Sequence, residues 1–169
     1  MDDGALNDLW QFDPEARQWT QVSAEGAPDA RSYHQMVSVG DELFVFGGCG
    51  ASGRLNDLHS FNTVTKQWTK LPSPPYEGLE GRGGANFTAS GDGRTLFVIG
   101  GFAGREMADA HAFDLQTRQW WQEPATHILP KNFQSRSVGI AAALPSTNRL
   151  VVYGGEIEEA SAGHLGAGV

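Results

Sequence analysis

The sequence predicts an all-β fold built from repeated four-stranded units, on three observations. Four short features recur in the same order along the chain. The segments between them read as strands. Glycine, at 22 of 169 residues, and eight prolines punctuate those segments with turns. No stretch carries the periodicity of an amphipathic helix of about 12 residues, so almost no helix is expected.

The repeat begins with an aspartate. Asp8, Asp57 and Asp109 lie in "LNDLWQFD", "LNDLHSFN" and "MADAHAFD". Trp19, Trp68 and Trp120 follow in "ARQWTQV", "TKQWTKL" and "TRQWWQE". Then come Arg31, Arg82 and Arg136, in "DARSYHQM", "EGRGGANF" and "FQSRSVGI". Last come Gly47-Gly48, Gly100-Gly101 and Gly154-Gly155, which end "LFVFGG", "LFVIGG" and "LVVYGG". Successive spacings are 49 and 52 for Asp and Trp, 51 and 54 for Arg, and 53 and 54 for the glycine pair. A period near 50 with strand-like segments fits a kelch-type β-propeller blade.

Each element has a local reason. "SYHQMVSV" alternates loosely, and "ELFVFGG" is a nearly continuous β-rich run. "DLHSFN" and "QWTKL" alternate as outer strands should. Gly40-Asp41 and Thr65-Lys66 supply turns. The double glycine is expected where positive φ and a close neighbour exclude a side chain. The tryptophan is expected to fill space between blades, and the aspartate to cap a loop by accepting backbone N–H groups. Residues 1–169 therefore read as one incomplete propeller. Blades at 31–71 and 82–122 are complete, 6–22 and 136–155 are partial, and 156–169 is a loop. An arc leaves unpaired edges, which favours marginal stability or self-association.

Composition narrows the function. The net charge is −8, from 20 acidic and 12 basic residues with no basic run, which argues against nucleic acid and anionic membranes. No apolar run approaches the roughly 20 residues that span a bilayer. One cysteine, Cys49, permits no internal disulfide and points to a reducing, cytoplasmic compartment. The N-terminus lacks the pattern of a secretion signal, so the sequon at Asn86 reads as chance.

Repetition places Arg31, Arg82 and Arg136 at one end of the channel. Guanidinium forks fit sulfate, phosphate and carboxylate. An anion site and a structural role, bonding backbone carbonyls or loop aspartates of the next blade, are both open. Glu106, Asp109 and His111 resemble a metal cluster, but repeat equivalence with Asp8 and Asp57, and with Trp10 and His59, favours structure. Ser32 and His34 have no placed acid and make no triad. With three tyrosines, the ligands of a copper-oxidase propeller are not found.

The segments "PDARSYHQM", "GRLNDLHSFNTVTKQW", "GRGGANF", "GREMADAH", "VVYGGE" and "GHLGAG" resemble the plant specifier proteins. These are the nitrile-specifier, thiocyanate-forming and epithiospecifier proteins, or a fungal or bacterial kelch relative of them. The resemblance covers residues 6–168. It implies a lyase-type activity on the sulfated thiohydroximate that myrosinase releases from glucosinolates, with Fe(II) as cofactor. It implies a Glu-x-x-x-Asp-x-x-x-His iron loop after a Gly-Gly, and arginines that hold the sulfate. Glu156 and His164 match the outer ligands. Ala160 stands where the family has aspartate, and Glu159 is the carboxylate that a shifted loop would bring in. The alternative expectation is a non-catalytic kelch scaffold for a protein ligand.

Overall fold

A computed structural model of the chain describes residues 4–22 and 25–157. Its strands form four antiparallel sheets in chain order. The first is a pair, β1 (Leu9–Asp13) and β2 (Gln18–Val22). The second has four strands: β3 (Gln35–Val39), β4 (Glu42–Gly50), β5 (Gly53–Asn62) and β6 (Gln67–Lys70). The third repeats it with β7 (Asn86–Ala89), β8 (Thr95–Ile99), β9 (Ala110–Asp114) and β10 (Gln119–Trp120). The fourth is a pair, β11 (Ile140–Leu144) and β12 (Arg149–Tyr153). The fold is thus all-β: two complete blades flanked by an outer half-blade before and an inner half-blade after. The only helix among the described residues is a 3-10 turn, Ala125–Ile128.

Each blade is a meander whose turns are written locally. Asp13, Asn62 and Asp114 end the third strand of their units. Their side-chain oxygens accept backbone N–H groups from Glu15, Val64 and Thr117 at 2.7–2.9 Å. That Asx geometry turns the chain. Arg17, Lys66 and Arg118 then take positive φ just before the fourth strand. A register shift between Phe46 and Gly48 ends the main β4–β5 ladder, and the glycine doublets all have positive φ, as expected from sequence.

The blades pack face to face around β7, which lies between β3 and β11. Side chains alternate along each strand. Phe44 and Phe46 of β4 meet Leu96 and Val98 of β8 in one core cluster. Phe97 and Ile99 point the other way and meet Leu150 and Val152 of β12. Trp120 lies edge-on to Phe46, at 6.3 Å between ring centroids, and its Nε1 donates to the Pro72 carbonyl at 2.7 Å. It therefore fills the space between blades, as its place in the repeat predicts. Backbone bonds also link the starts of the innermost strands in series: Gly84 N–H to Tyr33 O at 2.9 Å, and Val138 N–H to Gly84 O at 2.7 Å.

In the two complete blades the first glycine of the doublet lies where neighbouring blades touch. A Cβ at Gly100 would sit 2.5 Å from the Arg136 carbonyl oxygen of the next unit. Backbone cannot yield there cheaply. Gly104 has positive φ of 93° and nothing within 4 Å. Gly100→Ala is expected to cost about 2–4 kcal/mol and Gly104→Ala about 1 kcal/mol. Urea titration of both variants checks the contrast, and equal losses would contradict the close approach.

Candidate functional site

The three arginines sit at the same place in their units, four residues before the innermost strand. Their backbones are tied alike. Arg31, Arg82 and Arg136 donate N–H to the carbonyls of Leu6, Leu55 and Met107 at 3.2, 2.9 and 3.0 Å. Their Nε atoms donate to Asp29, Glu80 and Gln134 carbonyls at 3.0, 3.0 and 3.2 Å. Their Nη1 atoms donate to the Gly47, Gly100 and Gly154 carbonyls at 3.0, 3.0 and 3.1 Å. Each side chain therefore runs along its own blade to the glycine doublet, and in the two complete blades on toward the third strand.

In the complete blades the third strand answers with a carboxylate. Arg31 binds Asp57 through both Nη atoms at 2.7 and 3.0 Å, and Arg82 binds Asp109 at 2.6 and 2.9 Å. A histidine two residues on completes each group: His59 Nε2 lies 2.8 Å from Asp57, and His111 Nε2 lies 2.9 Å from Asp109. His111 Nδ1 in turn faces the Tyr76 hydroxyl at 2.9 Å, with the two rings stacked. The Arg31 and Arg82 guanidiniums are buried and the aspartates are partly buried.

Burial alone would raise both carboxyl groups. The hydrogen bonds from histidine and then arginine outweigh it. They hold Asp57 well below the usual carboxylate range and Asp109 at about 2.

These contacts correct one expectation and refine another. The repeated aspartate does not cap a loop through backbone N–H groups: Asp57 and Asp109 each accept a bidentate arginine and a histidine. The aspartate that meets each arginine belongs to the same blade, not the next. Sequence reasoning missed the Arg–Asp–His group although its signal was present. Asp57 follows Arg31 by 26 residues, Asp109 follows Arg82 by 27, and a histidine lies two beyond each. His111 thus has the structural setting that repeat equivalence predicted. Asn86 of the sequon is buried, with its Nδ2 donating to the Ile99 carbonyl.

Arg136 differs from its two counterparts. It keeps the backbone bonds and stacks on Phe133, with Cζ 4.7 Å from the ring centre, but it forms no ion pair among the described residues. Beside it, Ser137 and Glu156 exchange backbone hydrogen bonds at 3.1 and 2.8 Å, which positions Glu156 directly after the third glycine doublet. His164 and Glu159, expected as the other iron ligands, lie outside the described residues, as does Ala160. Among the described residues no group of three or more His, Cys, Asp or Glu side chains could hold a metal ion. One described carboxylate is not a ligand set for iron. No helix among the described residues is long and apolar enough to cross a membrane.

Comparison with known proteins places these features. The family profile of the KLHDC2/KLHL20/DRC7 Kelch-repeats domain matches residues 1–155. An N-(sulfonatooxy)prop-2-enimidothioate sulfolyase of Thlaspi arvense is 28% identical over 96% of this chain and 51% of its own length. Adagio-like protein 3 of Oryza sativa subsp. japonica is 32% identical over 91% of this chain and 26% of its own length. The dynein alpha chain of the flagellar outer arm of Chlamydomonas reinhardtii is 35% identical over 73% of this chain and 3% of its own length. The chain thus spans about half, or much less, of the relatives it matches.

Asp109 has a folded-state pKa below the roughly 3.9 of an unfolded aspartate. Its contribution to stability, about 2 kcal/mol, is complete above about pH 5 and disappears as pH falls from about 4 through 2. Denaturant titrations between pH 6 and 2 should show that loss in the native chain and a flatter acid limb in Asp109→Asn. At pH 7, Asp109→Ala strands the buried Arg82 charge and should cost about 3–5 kcal/mol. A cost below 1 kcal/mol would mean that the pair carries no structural load.

Proposed function

The chain belongs to the kelch-repeat family, and from that premise we propose that it is a non-catalytic interaction module that binds a protein partner through the loops at the arginine-bearing end of its blades. One observation carries this reading. The Arg31 and Arg82 forks are already filled by Asp57 and Asp109, so neither is free to cradle a small anionic substrate. Loops carried on a rigid sheet scaffold are the usual place for recognition. The net charge of −8 favours a partner segment carrying basic residues.

A second reading is favoured by the sulfolyase relative, whose similarity runs along 96% of this chain. In that reading the chain diverts a sulfated thiohydroximate from isothiocyanate to nitrile or thiocyanate with Fe(II). Arg136 would face the sulfate, and Glu156 and His164, with Glu159, would hold the iron.

One assay separates the two. Myrosinase and allylglucosinolate are incubated anaerobically with Fe(II), with and without the chain. The interaction-module reading expects isothiocyanate as the sole product in both. It also expects peptide display on the immobilised chain to enrich a basic motif whose binding weakens with salt. Nitrile or thiocyanate that depends on the chain, and that is lost in Glu156→Ala and His164→Ala, would overturn it in favour of the specifier activity.

A further inference from the structure

We propose that the connection between β6 and β7 carries a preformed polyproline II crest at residues 72–75, and that this crest is the ligand of a proline-recognition domain with an aromatic-walled groove. The inference rests on the reading of the chain as an interaction module and names the class of partner.

The sequence sets the conformation. Residues 70–77 read "KLPSPPYE". Proline holds its own φ at about −65° and drives the residue before it into extended backbone. Pro72, Pro74 and Pro75 have φ fixed in this way, and Leu71, Ser73 and Pro74 each precede a proline. Residues 71–74 belong to no helix, strand or turn, and the chain first bends at Pro75. An extended run at proline φ is polyproline II, with about three residues per turn. Pro72 and Pro75 therefore share one edge, and both are exposed. Pro74, on another edge, is half-buried.

The fold ties the crest down at both ends. Leu71 is buried and donates its N–H to the Leu58 carbonyl at 2.8 Å, and Trp120 Nε1 donates to the Pro72 carbonyl at 2.7 Å. On the far side, the Tyr76 hydroxyl lies 2.9 Å from His111 Nδ1, with the rings stacked. Asn56 Nδ2 then donates to the Leu79 carbonyl at 2.8 Å. Between these ties, residues 73–75 form no hydrogen bond among the described residues. Three of the four residues 72–75 lack an N–H, so the crest cannot extend a sheet. What it offers is ring surface and free carbonyl acceptors. Grooves walled by aromatic side chains take that combination, packing the proline rings and donating indole or phenol hydrogens to the carbonyls. Because the shape is set before contact, little entropy is lost on binding.

The blade repeat does not require these prolines. The connection before β3 reads "SAEGAPDA" at 23–30, with Pro28 alone, and the one before β11 holds the 3-10 turn Ala125–Ile128. The crest is thus particular to one connection at the arginine-bearing end. Flanking charge gives it a direction. Lys70 and Glu77 are exposed, and neither forms an ion pair among the described residues. The groove that fits has an acidic rim at the Lys70 end and a basic rim at the Glu77 end.

The full chain is passed over an array of purified SH3, WW and EVH1 domains. At least one domain should retain it, and free decaproline should compete. Pro72→Ala and Pro75→Ala should each raise the dissociation constant at least about tenfold. Lys70→Glu combined with Glu77→Lys should raise it about threefold. Circular dichroism and urea titration of the same variants should show folded chains, which separates lost binding from lost structure. If no domain retains the chain, if the native and proline-substituted chains are retained alike, or if decaproline does not compete, the prolines only stiffen the connection and the inference is overturned. A basic motif still enriched by peptide display on the native chain would then leave the interaction-module reading in place, so the two fail separately.

Discussion

The buried pairing of an arginine at the entry to the innermost strand with an aspartate on the third strand is the constraint around which each blade is arranged. A guanidinium with no solvent access requires a partner. In the complete blades the side chain reaches that partner by way of the first glycine carbonyl of the doublet, to which its Nη1 also donates. That path fixes the first, second and third strands relative to one another at one end of the blade. Gly47 and Gly100 must then be glycine, because the neighbouring unit's arginine carbonyl lies where a Cβ would be.

The same constraint shapes what the mouth of the channel offers. A ring of arginines looks like an anion trap when only their spacing is known. Once the aspartates are in place, Arg31 and Arg82 are neutralised and turned into the blades. Arg136 remains the exception, because its unit has no third strand among the described residues. Among the described residues its fork is the one that no carboxylate completes at this end of the molecule.

The ends of the arc follow from the same repetition. Each blade presents one apolar face forward and one backward, and each is satisfied only by a neighbour. In the middle of the chain that neighbour exists, and Phe44, Phe97 and Trp120 are buried. At the two ends the identical pattern leaves Phe12, Trp19, Val151 and Tyr153 exposed.

Period, strand alternation and turn chemistry are local properties, so the sequence by itself determined the all-β class and the positive-φ glycines. Asp13, Asn62 and Asp114 close their turns with contacts two or three residues away, which sequence distance already encodes. The partner of each arginine lies 26 or 27 residues away, across two strands, and its choice depends on which side of the pleat each residue faces after the bulge at Gly47. Only the tertiary structure decided that Asp57 and Asp109 bind arginine and histidine rather than backbone N–H groups. Only it separated the satisfied guanidiniums from Arg136, because satisfaction of a buried charge is a property of the packed neighbourhood and not of the repeat unit.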